Sequence, residues 1–355
     1  MTDRHEAALK ILKEGTVIPA TPLALDENRR FDEHGQRVLM RYYLDSGAGG
    51  IATAVHTTQF EIRKPEVNLF ETVLGVVADE ISAYEERTGR VVVRVAGVCG
   101  KTEQAVKEAK LAKDYGYDAV LLSPGGLNDM PEDYMVERTK AVAAIMPVIG
   151  FYLQEKVGGR IFSYDYWTKI CAIDNVVAVK CASFNRYQTQ EVVRAAAFSP
   201  RSSEITLYTG NDDNIVIDLL TRYRFTAADG THIERGFSGG LLGHWTLWTH
   251  NVVEMFKRLK EAKRQDKIDA ELLTLAAQVT DANSAFFDTA HNFKGCIPGV
   301  HEVLRRQGLM KGTWCLDENE VLSPGQAEEI DRVCKAYPQL TDDDFVKENL
   351  EKWDY

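Results

Sequence analysis

Short runs of apolar, often β-branched residues recur along roughly the first two-thirds of the chain. Each is separated from the next by a helix-sized stretch in which apolar residues return at intervals of three and four. The runs TVIPAT (16–21), GIATAV (50–55), VVVRVAGV (91–98), DAVLLSP (118–124), PVIGFYL (147–153), VVAVKCA (176–182), ITLYTG (205–210) and GFSGG (236–240) predict eight strands. Between them Thr102, Thr189 and either Asp212 or Asp213 stand where helix N-caps are expected. Eight strands with helical crossovers predict an α/β chain of the (β/α)8 TIM-barrel class over residues 1–262, rather than an open sheet. After about residue 263 the strand pattern stops. Four helical segments follow in a C-terminal helical extension, 263–355, the third with a Ser-Pro start and the fourth with Thr341 as its cap. Trp245 and Trp248, three apart, are expected on the eighth barrel helix, packed against the strands.

The chain has 355 residues, 45% of them hydrophobic, which suffices for one large barrel core. A formal charge of −11 and a pI near 5.3 argue against a nucleic-acid or anionic-membrane partner and leave a small molecule as the expected one. The six cysteines form no CxxC pair, and the histidines form no HxH or HExxH pair; His244 and His250 lie six apart, off one helical face. No disulfide framework and no metal site are expected. Without a signal-like start or any run of about 18 apolar residues, the chain reads as soluble and cytoplasmic.

Against that background one residue stands out. The strand VVAVKCA carries a lysine, Lys180, at the end of a barrel strand, where this architecture builds its active sites. A strand-end lysine can lay its stem on apolar surface and keep its ammonium in water. In a desolvated mouth the same side chain loses stability in its charged form and becomes a nucleophilic amine. Tyr152 ends strand five as a candidate proton carrier, and Thr57 and Thr58 leave strand two as candidate holders of a carboxylate. Together these would make a Schiff-base site for a 2-oxo acid, with no organic cofactor, because a protonated imine is itself the electron sink. Weaker candidates are His56 and Gln59 beside the threonines, Arg186 after Lys180, Asn211 and Asp212 after strand seven, and Gly239 in the glycine-rich strand eight. Each has a plain structural alternative as a turn, cap, surface or packing residue.

The order VIPATPL, a Thr-Thr turn, LLSP, a strand-five tyrosine, a strand-six lysine and GCIPGVHEVLRRQGL resembles the dihydrodipicolinate synthase and N-acetylneuraminate lyase family, over about residues 15–337. The resemblance implies that Lys180 condenses with a pyruvate-type 2-oxo acid, that Tyr152 relays protons with Thr58, that Thr57 grips the carboxylate, and that the protein is a homotetramer or dimer. The 28-residue spacing of Tyr152 and Lys180 fits that family. Departures point to an outlying branch: Gly125 and Gly126 replace the aromatic pair after strand four, HTTQFE replaces the usual glycine-rich turn, and Val157 falls where synthases keep an arginine. The expected activity is a Schiff-base lyase or aldolase. The alternatives are a hydro-lyase on a sugar-acid-derived 2-oxo acid and a non-catalytic 2-oxo-acid sensor.

Overall fold

The computed structural model describes residues 3–354. Its strands are β1 (Val17–Pro19), β2 (Gly50–Thr53), β3 (Val93–Val98), β4 (Ala119–Leu122), β5 (Val148–Leu153), β6 (Val176–Ala182), β7 (Thr206–Thr209), β8 (Tyr223–Thr226), β9 (His232–Arg235) and β10 (Gly239–Leu242). Eight of these form one parallel sheet in the order β1-β10-β7-β6-β5-β4-β3-β2. A bridge between Ala20 and Ala52, with the Thr21 N–H donating to the Ala52 carbonyl at 2.9 Å, joins the two ends into a barrel. The predicted (β/α)8 architecture is the observed one.

Alternation along the strands divides the apolar residues into two cores. Inward-facing Ile18, Val95, Leu121, Ile149, Ala178 and Leu241 fill the barrel. Outward-facing residues such as Val148, Val176, Val179 and Leu207 pack beneath the surrounding helices. The helix Asp3–Glu14 closes the floor: Ala8 and Leu12 join the inner core, and the Tyr208 hydroxyl donates to the Leu12 carbonyl at 2.8 Å.

Two features depart from the sequence expectation. Residues 223–235 fold into an antiparallel hairpin, β8 with β9, inserted before the last barrel strand. Strand eight itself is Gly239–Leu242 rather than 236–240, because its register is set by pairing with β1 and β7 and not by its own composition. The caps also differ. Lys101 precedes the helix Thr102–Asp114, and Asn214 precedes Ile215–Leu220. Asn185 caps Arg186–Phe198, accepting from the amides of Tyr187 and Gln188, so Thr189 lies inside that helix. Asp342, not Thr341, precedes Asp343–Trp353. Trp245 and Trp248 are buried as expected but lie just before the eighth helix, Thr249–Arg264, not on it.

The helices Glu271–Phe286, Cys296–Arg306, Gln326–Ala336 and Asp343–Trp353 share the outer core with the barrel. The buried Asp342 carboxylate ties the two together, accepting from the Tyr42 hydroxyl at 2.8 Å and the His250 amide at 3.0 Å. Among the described residues no helix is long and apolar enough to cross a membrane, and all six cysteines are free.

Trp353 anchors the final helix. Its ring meets Tyr42 edge-on at 5.5 Å, and its indole N–H donates to Asp45 at 2.9 Å. Trp353→Ala is expected to destabilise the fold by about 3–5 kcal/mol, the usual cost of emptying a buried aromatic site. A clear fall in the urea or thermal midpoint checks this, and an unchanged midpoint contradicts it.

Candidate active site

Lys180 rises from the C-terminal half of β6 with its side chain inside the barrel, between Ala178 and Ala182 of the inner core. The glycine opposite makes room for it. A Cβ on Gly210 would fall 2.6 Å from Lys180 Cε, so only glycine leaves the lysine its course across the end of β7. The amine sits over the Phe151 ring, 4.5 Å from its centroid.

That ring occupies the place expected for the Tyr152 phenol. Val148 pairs with Val176, but Ile149 pairs with Ala178, so Val177 is an extra residue on β6. A bulge of this kind consumes one residue and changes which side chains face inward relative to the partner strand. Phe151 therefore stands beside Lys180, and Tyr152, one residue on, faces outward. Tyr152 stacks on Trp167 at 5.3 Å, and its hydroxyl receives only a long contact, 3.5 Å, from the Phe162 amide. The expected placement of Tyr152 beside Lys180 is corrected: with Val177 as an extra residue on β6, Phe151 lines the cavity and Tyr152 does not.

Two other titratable groups do face the lysine. Asp212, just after β7, lines the same cavity, as does His56. Burial draws the Lys180 amine down to about 8, opposed by the Asp212 charge. Burial pushes the Asp212 carboxyl up to about 7, opposed by the His244 amide and the Lys180 charge. The two groups titrate as a pair, each charge favouring the other's charged form. His56 is drawn down to about 4, by burial first and then by Lys180, and is therefore neutral. The loop carrying Asp212 is held from two sides. The His244 amide donates to Asp212 Oδ1 at 3.0 Å, and Asn283, on the helix Glu271–Phe286, donates to the Asp212 carbonyl at 2.7 Å.

The remaining candidates separate clearly. Thr57 lines the cavity, but its hydroxyl donates to the Ala20 carbonyl at 2.7 Å. Thr58 is fully buried outside the cavity lining, donating to Thr21 O and accepting from the Val55 amide, so it shapes the turn and is not positioned for catalysis. What this one-turn 3-10 helix, His56–Thr58, can offer a ligand is its first amides, which have no intrahelical acceptor. Gln59 accepts from the Leu316 amide at 2.6 Å and fastens the C-terminal part instead of a substrate.

Arg186 is turned away, pairing with Asp218 at 2.7 Å. Asn211 is wholly buried and spent on structure, donating to Asp218 and accepting from the Phe184 amide. Gly239 lies at the floor end of β10, where a Cβ would come within 2.5 Å of the Thr16 carbonyl; its absent side chain serves packing. The glycine at the mouth is Gly243, just after β10. Gly125 and Gly126 lie outside the cavity lining.

The cavity offers about 80 Å³ of space to the centres of water-sized molecules and opens toward solvent. Sequence reasoning missed most of its wall. Phe287, Phe293 and Cys296 come from the C-terminal extension, and Phe184 from the turn after β6. No spacing rule points to them, because their contact depends on how the extension is laid over the barrel.

The electrostatic coupling has a direct consequence. The Asp212 carboxylate stabilises the Lys180 ammonium, so Asp212→Asn removes a stabilising charge and should move the Lys180 titration to lower pH. Titration followed by NMR of reductively 13C-methylated lysines checks this; an unchanged or alkaline-shifted midpoint contradicts it.

Comparison with known proteins bears on this geometry. The model of the Dihydrodipicolinate synthetase family matches residues 13–223. A 4-hydroxy-tetrahydrodipicolinate synthase of Heliobacterium modesticaldum is 25% identical over 58% of this chain and 65% of its own length. A probable 5-dehydro-4-deoxyglucarate dehydratase of Streptomyces coelicolor is 26% identical over 54% of this chain and 56% of its own. The chain thus spans just under two-thirds of the length of such synthases. Among solved structures, dihydrodipicolinate synthase from Oceanobacillus iheyensis has a TM-score of 0.69 at 18% identity, covering 95% of this chain and 99% of that one. N-acetylneuraminate lyase from Fusobacterium nucleatum has a TM-score of 0.70 at 15% identity, covering 92% and 99%. The structural likenesses speak for the barrel, and the family match covers more than half of the sequence. This chain belongs to the dihydrodipicolinate synthetase family.

Proposed function

We propose that the protein is a Schiff-base lyase acting on a 2-oxo acid, with Lys180 as the nucleophile and Asp212 as its proton partner. The observation that carries this reading is a buried lysine at the mouth of the barrel lining one cavity with Asp212, where burial lowers the amine and raises the carboxyl. Passing the ammonium proton to Asp212 leaves a neutral amine, which adds to the C2 carbonyl. The carbinolamine then loses water to give the imine, with protons returned through Asp212. The first amides of the His56–Thr58 turn are the donors for the C1 carboxylate, since the Thr57 hydroxyl is already engaged.

Once protonated, the imine accepts the electron pair of a bond broken at the neighbouring carbon. In retro-aldol cleavage the C4 hydroxyl proton leaves to a base and the C3–C4 bond breaks. An aldehyde departs, and the resulting enamine takes a proton at C3 before hydrolysis frees pyruvate and Lys180. Asp212 is the group able to accept the first of these protons. The match to the Streptomyces coelicolor dehydratase supports a second reading, loss of water from the same kind of imine. The pair of Lys180 and Asp212 serves both.

Two outcomes test the proposal. Pyruvate with borohydride should add one reduced adduct per chain, on Lys180, as read by intact mass and peptide mapping; an adduct on another lysine, or none, refutes it. For turnover of an accepted 2-oxo acid, Asp212→Asn should cost roughly 10²-fold or more, the usual contribution of a positioned acid/base. Tyr152→Phe should change turnover less than about twofold, because its hydroxyl faces the helix layer away from the cavity. A large loss in Tyr152→Phe with little loss in Asp212→Asn would return the proton to the phenol.

A further inference from the structure

Phe184 and Phe293 both have left-handed backbones, with φ of 52° and 67°. A bulky residue rarely adopts this conformation, and such strain persists only where surrounding structure over-determines it. Here it does. The Phe184 amide is held at 3.0 Å by Asn211 Oδ1, itself fixed by the buried Asp218. The Phe293 amide is held at 3.0 Å by the Asp288 carbonyl. The Asp288 side chain accepts from the Gly295 amide at 2.9 Å and the Ser323 hydroxyl at 2.5 Å. Two separate buried networks, one on the barrel and one on the extension, thus bring two phenyl rings together edge to face, 5.9 Å apart. Both line the cavity above Lys180, with Phe287, Leu153 and Val157 on the same wall.

The charge of that wall is equally one-sided. Among the described lining residues Lys180 is the only lysine or arginine, and imine formation uses it. His56 is neutral, Asp212 repels anions when ionised, and Gln154 is the one further uncharged polar side chain apart from Thr57. A second carboxylate or a phosphate on the substrate would find no counter-charge. A polyol tail would press hydroxyls against phenyl rings with too few partners, which is costly.

We propose that the substrate is a 2-oxo acid whose tail beyond C4 is apolar, an aryl or bulky alkyl group seated against Phe184, Phe287 and Phe293. This rests on the Schiff-base reading for the 2-oxo end, but the apolar subsite is a separate property of the wall.

The test uses the full chain and borohydride trapping, comparing the concentration that gives half-maximal adduct for benzylidenepyruvate, pyruvate, 2-oxoglutarate and 2-oxo-3-deoxygluconate. The aryl acid is expected to half-saturate at least tenfold lower than the other three, the order of effect for burying a phenyl-sized group. Phe293→Ala and Phe184→Ala should each reduce that preference several-fold, while Phe293→Leu retains most of it. Equal trapping of all four acids, or preference for the dicarboxylic or polyol acid, overturns the proposal. The wild-type panel decides this even where an alanine variant does not fold. Calorimetric binding of 4-phenylbutanoate against gluconate, neither of which can form an imine, reads the subsite independently. Preference for the phenyl acid without an adduct from any oxo acid upholds the apolar subsite and refutes the imine; no preference there refutes the subsite.

Discussion

An ammonium group needs water or a counter-charge, and Lys180 has been given little of the first and, for the second, the half-buried Asp212 carboxyl lining the same cavity. Much of the structure at the mouth serves that arrangement. Gly210 yields the space through which the lysine crosses, and Phe151 offers a ring face that partly compensates the charge. Asp212 is pinned by the His244 amide so that its other oxygen stays available toward the cavity side, near Gly243. Desolvation draws the amine down and pushes the carboxyl up, which moves the two pKa values toward each other.

The C-terminal helices take part in this electrostatics as well as in packing. Asn283 holds the Asp212 carbonyl and also meets the His244 ring at 2.5 Å, while Thr280 donates to the Asp213 carbonyl at 2.9 Å. Phe287 and Phe293 reach the cavity from the same part of the chain and line it together with Lys180. A barrel mouth without them would be wetter, and burial would lower the Lys180 amine less.

The strand-five tyrosine shows how a sound pattern can mislead. Spacing along the chain is a proxy for register only while both strands run without interruption. One extra residue at Val177 makes Phe151 the neighbour of Lys180 and sends Tyr152 outward into an aromatic layer with Trp167 and Phe162. Nothing in VVAVKCA announces the bulge, since every residue there suits either face of a buried strand. Strand eight slipped for a related reason: glycines carry no facial preference, so the pairing partners β1 and β7 decided its limits.

What the sequence determined by itself was periodic or chemically unusual: the alternation of strands and helices, the four closing helices, and a lysine ending an otherwise apolar strand. These signals are local, because a strand's apolar run and a helix's apolar stripe are written within a few turns of chain. Only the tertiary structure decided which neighbours meet that lysine. Asp212 and His56 approach it from different strands; Arg186, just beyond Lys180, and Asn211, next to Asp212, turn instead to the buried Asp218. Direction at the mouth depends on register, on a bulge and on the docking of a distant helix. Each of these is set by contacts between segments far apart in the chain, which no local pattern records.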